Sequence, residues 1–162
     1  MFSVRKDTMQ SRPLGTIIRE VVEHPRAVDI VPLLNQNEVI MVEQYRHAVG
    51  ESLLEIPAGT LEKRETPADC ARRELLEETG FRATRMRRLL GCYLAPGYSS
   101  ELITIFEATG LSYGSLAPPA NEHIKVRRLK LKDILIMIKR NQIKDGKTIC
   151  GVLALVTSGR WG

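Results

Sequence analysis

The stretch TPADCARRELLEETG, residues 66–80, marks both ends of one helix in this chain. Thr66 can cap the helix, Pro67 suits its first turn, and Asp69 stands three residues after the cap, as in a capping box. Gly80 supplies the left-handed residue with which many helices end. The pattern predicts an α-helix over residues 67–79, and any fold of this chain has to place that helix.

Three glutamates crowd the second half of the predicted helix. Glu74 and Glu78 are one turn apart and share a face. Like charges at such spacing repel by about a few tenths of a kcal/mol per pair. An ion pair between Arg73 and Glu77, which are four residues apart, offsets part of this repulsion. Two interpretations follow from the residues alone. The cluster is a solvated helix face with one ion pair, or its stacked carboxylates bind a hard divalent cation.

The glutamate cluster is part of a longer sequence pattern that begins before the helix and ends just after it. It reads G-x5-E-x7-R-E-U-x-E-E-x-G-U, where U is apolar, which is the Nudix box, and the chain here resembles the Nudix hydrolases. Arg73 is expected to pair with Glu65 or to orient the glutamates, and its alternative role is a surface pair with Glu77. Every fixed position is filled, by Gly59, Glu65, Arg73, Glu74, Leu75, Glu77, Glu78, Gly80 and Phe81.

The resemblance implies a fold and a metal site. The fold would be the α+β Nudix arrangement, an α/β/α sandwich with a mixed curved sheet on which the metal-binding helix packs. In the family the helix glutamates hold magnesium against a pyrophosphate, so Glu74 and Glu78 are expected to bind Mg²⁺, or Mn²⁺ as an alternative, with Glu77 beside them. Gly59 permits a tight turn beside a ligand, and the Ala58 carbonyl can add an oxygen ligand.

Segments on both sides of the box resemble the ADP-ribose pyrophosphatase branch of the family. Such an enzyme hydrolyses ADP-ribose to AMP and ribose 5-phosphate. Pro96 stands where that branch has a proline, and Pro96 and Gly97 are candidate substrate-binding residues. The segments are residues 19–34, 41–59, 93–108 and 121–126, and the likeness extends from about residue 16 to about residue 156.

The same resemblance implies further catalytic and substrate-binding side chains. Arg46 resembles a phosphate-binding arginine, whose planar fork suits bidentate phosphate contact. Glu101 resembles an acidic residue near the substrate and is a candidate for both binding and catalysis. Glu122 resembles a loop glutamate that orients or deprotonates the attacking water, or completes a metal shell. Arg73 and Glu77 complete the candidate catalytic set.

Three other functions remain open. A hydrolase of another nucleoside diphosphate sugar would share the box, because the box does not encode contacts to the base or sugar. A protein that binds ADP-ribose without cleaving it would be expected to have a degraded box, and this box is intact. An RNA-processing Nudix enzyme would suit the basic charge, but the flanking segments favour the nucleotide-sugar branch.

Composition agrees with one ordinary domain. Residues 1–162 are expected to form a single Nudix hydrolase domain, because 162 residues with 43% hydrophobic content suit one core. Strands within about residues 1–22 are expected to contribute to a homodimer. Patterning predicts strands at residues 16–22, 27–34, 38–45, 89–95, 101–108 and 123–131, a loop at 112–122, and helices at 131–138 and 147–156.

The net charge, the cysteines and the apolar runs indicate which partners and which cellular location to expect. The net charge of +5 is dispersed, so nucleic-acid binding is not expected and a small anionic substrate is favoured. The three cysteines lack paired spacing, which argues against a disulfide framework or thiolate zinc site. No signal peptide or apolar run of about 18 residues is evident, so no membrane association and a cytoplasmic location are expected. His24 is expected to make a structural hydrogen bond.

Overall fold

A computed structural model describes residues 2–114 and 124–160 of the chain. The strands are β1 Ser3–Ser11, β2 Gly15–Glu23, β3 Ala27–Asn35, β4 Glu38–Arg46, β5 Glu51–Glu55, β6 Ala58–Thr60, β7 Phe81–Tyr93, β8 Leu102–Tyr113 and β9 Lys125–Lys130. The helices are α1 Pro67–Thr79, α2 Leu131–Lys139 and α3 Gly146–Leu155, and a π-helical turn, Val156–Arg160, follows α3.

The main sheet has seven strands, and its mixed direction was predicted. Its central path runs β5-β4-β3-β8-β7, while β6 pairs with β3 and β9 pairs with β4. β3 and β8 are parallel, and the other pairings in this sheet are antiparallel. β3 therefore has β4 and β6 along one edge and β8 along the other. It is the central strand of the sheet.

Helices cover both faces of this sheet. Side chains of β3 alternate in direction, so that Val28 and Ile30 pack with Leu75 of α1 on one face. Val31 packs with Val152 of α3 on the opposite face. The layers form the expected α/β/α sandwich, with α1 on one side and α3 on the other.

The ends of α1 are those that the sequence predicted. The hydroxyl oxygen of Thr66 accepts a hydrogen bond from the Asp69 backbone N–H at 3.2 Å, and the Asp69 carboxylate accepts the Thr66 hydroxyl proton at 2.6 Å. Gly80 has φ of 74°, and its N–H donates to the Leu76 carbonyl. These local hydrogen bonds coincide with the observed bounds of the helix.

The strand predictions from patterning need correction in five places. Patterning did not predict β5, β6 or β1, although the resemblance implied strands within about residues 1–22. β7 begins at Phe81 rather than at residue 89. The predicted loop over residues 112–122 begins too early, because β8 continues to Tyr113. Residues 115–123 lie outside the described residues, as does the first residue of the strand predicted at 123–131.

The first two strands form a sheet of their own. β1 and β2 pair in antiparallel register from Ser3 with Glu23 to Ser11 with Gly15. Backbone hydrogen bonds attach the end of β2 to the segment before β8: Val22 N–H donates to Tyr98 O at 2.7 Å, and Ser100 N–H donates to Val22 O at 2.9 Å. In the part of the chain that the structure describes, no helix is long and apolar enough to cross a membrane.

Candidate active site

A cavity of about 560 Å³ opens at the start of β3. Its walls come from α1, β6, β4, the first turn of α3 and the segment that leads into β8. Five of the predicted site residues line it: Arg46, Ala58, Glu74, Glu78 and Glu101. Residues that are far apart in sequence therefore meet around one space large enough for a small-molecule ligand.

The α1 carboxylates lie against the backbone of β6. The Ala58 N–H donates a hydrogen bond to a carboxylate oxygen of Glu78 at 3.1 Å. A Cβ atom on Gly59 would lie 1.9 Å from the Glu74 carboxyl group, so a larger residue there would displace that carboxylate. Glycine at this position leaves room for the Glu74 carboxylate, which a side chain would have to displace.

The donor set suits a hard divalent cation. Glu74 and Glu78 bring carboxylate oxygens to the cavity, and Ala58, whose carbonyl is the further candidate ligand, lines the cavity beside them. Mg²⁺ typically uses one or two protein carboxylates and keeps several waters. Among residues 2–114 and 124–160, no three His, Cys, Asp or Glu side chains form a ready metal cluster. The residues thus fit a cation that is also held by water and substrate oxygens.

Arg73 donates hydrogen bonds to three glutamates of the box. Its Nε and Nη2 each donate to a Glu65 carboxylate oxygen at 2.9 Å, and its Nη1 donates to Glu74 at 2.7 Å and to Glu77 at 3.1 Å. The expected contacts with Glu65 and Glu77 are both present. The hydrogen bond from Arg73 lowers the pKa of Glu65 to about 2. Arg73 and Glu77 lie beside the cavity and are not part of its lining.

Arg46 belongs to a second ionic network on the opposite wall. Its Nε and Nη2 donate to the two carboxylate oxygens of Glu55, both at 2.7 Å. Lys147 Nζ donates to Glu55 at 2.9 Å and to Asp145 at 2.6 Å. Burial alone would raise the pKa of Glu55, but the hydrogen bond from Arg46 and the charge of Lys147 outweigh burial and lower it.

Asp29 is a fully buried carboxyl group in the lining of the cavity. Within the described residues, neither of its carboxyl oxygens has a hydrogen-bond partner. Burial, reinforced by the nearby charges of Asp145, Glu101 and Glu55, raises the pKa of Asp29 to about 7, while the charge of Lys147 opposes the shift. A buried polar group without a partner is uncommon and calls for a physical explanation.

The remaining predicted residues are placed as follows. Glu101 lines the cavity and lies 3.3 Å from Nδ1 of His24, which also contacts the Pro25 carbonyl oxygen. Pro96 and Gly97 form an exposed turn before β8 and are not part of the cavity lining. Glu122 lies outside the described residues. The structure therefore brings Glu101 to the helix carboxylates, but not Pro96 or Gly97.

Sequence reasoning missed four charged residues in or beside the cavity: Asp29, Glu55, Asp145 and Lys147. Each carries a local signal. Asp29 interrupts the apolar run AVDIVPLL, and Glu55 ends the strand directly before IPAG. Lys147 follows Asp145, whose carboxylate accepts the Thr148 N–H and caps α3. A charge inside an apolar strand was the strongest of these signals, because such a residue is rarely buried without a purpose.

Comparisons with known proteins agree with this geometry. The family model described as NUDIX domain matches residues 23–150. The methanol dehydrogenase activator of Bacillus methanolicus is 41% identical over 136 residues, covering 83% of this chain and 74% of that protein. The ADP-ribose pyrophosphatase of Bacillus subtilis (strain 168) is 36% identical over 132 residues, covering 80% of this chain and 71% of that protein.

One solved structure supports the fold alone. An ADP compounds hydrolase crystal structure superposes with a TM-score of 0.87 at 21% sequence identity, covering 100% of this chain and 90% of that chain. The family model, the relatives and the complete box agree with the observed sandwich and with the position of its helix carboxylates. The chain belongs to the NUDIX domain family.

Proposed function

We propose that this chain is a Mg²⁺-dependent pyrophosphatase that hydrolyses ADP-ribose to AMP and ribose 5-phosphate. The observation that carries the proposal is the single cavity lined by Glu74 and Glu78 together with Arg46 and Glu101. Anionic and cationic groups on opposite walls suit a diphosphate bound through a metal. The similarity to an ADP-ribose pyrophosphatase supports this substrate. The intact box favours hydrolysis over binding without cleavage.

Glu74, Glu78 and the Ala58 carbonyl would hold the metal, with Mn²⁺ as an alternative to Mg²⁺. When bound, Mg²⁺ neutralises charge on the phosphoryl oxygens and lowers the pKa of the attacking water. Arg73 keeps the Glu74 carboxylate in place through its 2.7 Å hydrogen bond, and Glu77 shares that arginine. These contacts orient the carboxylates before a ligand arrives.

The other walls of the cavity would bind and orient the substrate. Arg46, held by Glu55, would contact a phosphoryl group, and Glu101 would lie near the sugar. Glu101 and Glu122 are the two candidates for the group that takes the proton from the attacking water. The turn at Pro96 and Gly97 would reach the substrate from outside the cavity.

We also propose that the protein is a cytoplasmic homodimer that uses the β1–β2 hairpin as part of its interface. The hairpin forms a separate sheet with exposed apolar side chains, including Val4 and Ile18. Exposed apolar groups on such an arm are typical of surfaces that a second chain covers. A second copy of this chain is the proposed partner.

A substrate panel tests the proposed reaction. The purified protein is incubated with Mg²⁺ and ADP-ribose, GDP-mannose, UDP-glucose, NADH or capped RNA, and mononucleotide release is measured. Glu78→Gln is expected to lower turnover by at least about 100-fold, because it replaces a carboxylate that would bind the metal. The matched control is Glu62→Gln, an exposed glutamate outside the cavity, which is expected to retain wild-type turnover.

The outcomes separate the reaction from the substrate. Preferential release of AMP from ADP-ribose, lost in Glu78→Gln and kept in Glu62→Gln, would support the proposal. Turnover of another compound in the panel would keep the role of α1 and replace the substrate. Absence of turnover for the whole panel, with Mg²⁺ or Mn²⁺, would contradict the proposed enzyme and favour a binding protein.

A further inference from the structure

A second cation lies in the cavity beside Arg46. Lys147, in the first turn of α3, lines the same space, and these two are the Lys and Arg side chains among the described lining residues. The Lys147 side chain is 17% exposed, whereas that of the nearby Lys144 is 52% exposed. A lysine enclosed to this degree at a cavity wall is held in place, unlike an ordinary surface lysine.

One buried glutamate fixes both cations. Glu55 is 1% exposed, and one of its carboxylate oxygens accepts from Arg46 Nη2 at 2.7 Å and from Lys147 Nζ at 2.9 Å. The other oxygen accepts from Arg46 Nε at 2.7 Å. The shared acceptor sets the separation of the ammonium and the guanidinium groups, so neither has to be ordered when a ligand binds.

Within the described residues, both cations keep donors for a ligand. The ammonium group has three N–H donors, and the bonds to Glu55 and Asp145 use two of them. The bonds from Arg46 to Glu55 use Nε and Nη2 and do not involve Nη1. Arg46 and Glu78 both line the cavity. The hydrogen bond to Glu55 raises the pKa of Arg46, and the charge of Glu78 adds to that effect.

We propose that Lys147 is a second diphosphate-binding residue, positioned next to Arg46 by Glu55. The proposal rests on the proposed function, since it assigns one cation to each phosphoryl group of the substrate. A diphosphate carries its negative charge on two adjacent groups, and a pair of cations that is already oriented binds it with little loss of side-chain freedom. Each contact is a charge-assisted hydrogen bond to a phosphoryl oxygen.

Two substitutions at neighbouring lysines provide the test. Lys147→Met removes the ammonium group but keeps an unbranched apolar stem. Lys144→Met is the matched control, because Lys144 also pairs with a glutamate, Glu51 at 3.0 Å, but lies outside the cavity. If Lys147→Met does not fold, Lys147→Gln replaces it, because an amide can still donate to Glu55.

Two measurements apply to each variant. The first is the rise in Tm caused by inorganic pyrophosphate in Mg²⁺ buffer, which reports binding without turnover. It is expected to be large for the wild type and for Lys144→Met, and small for Lys147→Met. The second is kcat/KM for ADP-ribose, which is expected to fall by about 10- to 100-fold in Lys147→Met, mainly through KM.

Each outcome has a distinct meaning. Equal pyrophosphate shifts and equal KM values in the two methionine variants would overturn the role of Lys147, even if the wild type hydrolyses ADP-ribose. A purely structural lysine would lower the Tm without ligand and leave the pyrophosphate shift unchanged. If the shift depends on Lys147 but ADP-ribose is not hydrolysed, the diphosphate site stands and the proposed substrate fails.

Discussion

The buried environment of Asp29 strongly alters the chemistry of its carboxyl group. Its folded pKa of about 7 exceeds the ordinary value of 3.8, so the folded chain binds a proton more tightly than the unfolded chain. The resulting stabilisation is complete below about pH 4 and is lost as the pH rises through about 7. Between about pH 5 and about pH 8 the loss is on the order of 2 to 3 kcal/mol.

Asp29→Asn is expected to remove this pH dependence, because the amide does not ionise. Urea unfolding in metal-free buffer at about pH 5 and about pH 8 gives the measurement. The change in the free energy of unfolding caused by the substitution should be more favourable at about pH 8 than at about pH 5, by about 2 to 3 kcal/mol. Asp133→Asn, at an exposed aspartate of α2, is the control. An effect of Asp29→Asn that is equal at both pH values would contradict the account.

Single residues of the site were predictable where their spacing is local. Glu74 and Glu78 share a face of one helix, and the box fixes their positions relative to Gly59 within a short segment. Glu55 and Lys147 are 92 residues apart, and they meet because β5 and the start of α3 meet in the tertiary structure. No helical or strand periodicity encodes such a contact, so the second cation was missed.

At the scale of elements, the contact between β6 and α1 brings the proposed metal ligands together. Gly59→Ala would place a Cβ atom 1.9 Å from the Glu74 carboxyl group, so the carboxylate must move. We expect Mg²⁺-dependent turnover to fall by at least about 10-fold with a smaller change in Tm, because the proposed metal site is distorted more than the core. Steady-state assays and thermal unfolding measure the two effects.

Gly146→Ala is the control for that prediction. A Cβ atom on Gly146, at the start of α3, would meet no heavy atom within 4 Å among the described residues, apart from its chain neighbours and the backbone of its own helix. The turnover of Gly146→Ala should match that of the wild type. Its Tm should be equal or slightly higher, because alanine replaces a helical glycine. Wild-type turnover in Gly59→Ala would show that the close contact between β6 and Glu74 is unimportant for activity.

The elements themselves differ in how far sequence could predict them. α1 was predicted with its observed bounds because Thr66 and Gly80 mark its ends through local hydrogen bonds. β1 was missed because most of its side chains are exposed on both faces, which leaves no alternating pattern. β6 has three residues, and its pairing with β3 is determined by the tertiary structure.

At the scale of the whole molecule, the exposed apolar side chains of the β1–β2 hairpin lead us to expect a dimer. Light scattering should give twice the 18.2 kDa mass of one chain. The double substitution Val4→Glu with Ile18→Glu should give the monomer mass, because it places charge on exposed apolar side chains of β1 and β2. Ile136→Glu, at an exposed isoleucine of α2, is the control and should remain dimeric. A monomer mass for the wild type would contradict the proposed dimer.

The whole fold was predictable from one motif, whereas the arrangement around its site was not. The box identified the family, and the mixed sandwich followed from that resemblance. The order of strands around β3 depends on pairings between distant segments, such as Asp29 with Ile105 of β8. Those pairings bring Asp29 and Glu101 to one cavity, and the packing of α3 on the sheet brings Lys147 there.

Hydrolysis of ADP-ribose in ¹⁸O-labelled water tests the central claim most directly. AMP and ribose 5-phosphate are separated and their masses are measured, with Glu78→Gln as the inactive comparison. The account predicts equal amounts of both products, with one labelled oxygen in the phosphate of one of them, because water attacks phosphorus at the diphosphate. Unlabelled phosphates, products other than these two, or turnover that persists in Glu78→Gln would contradict it.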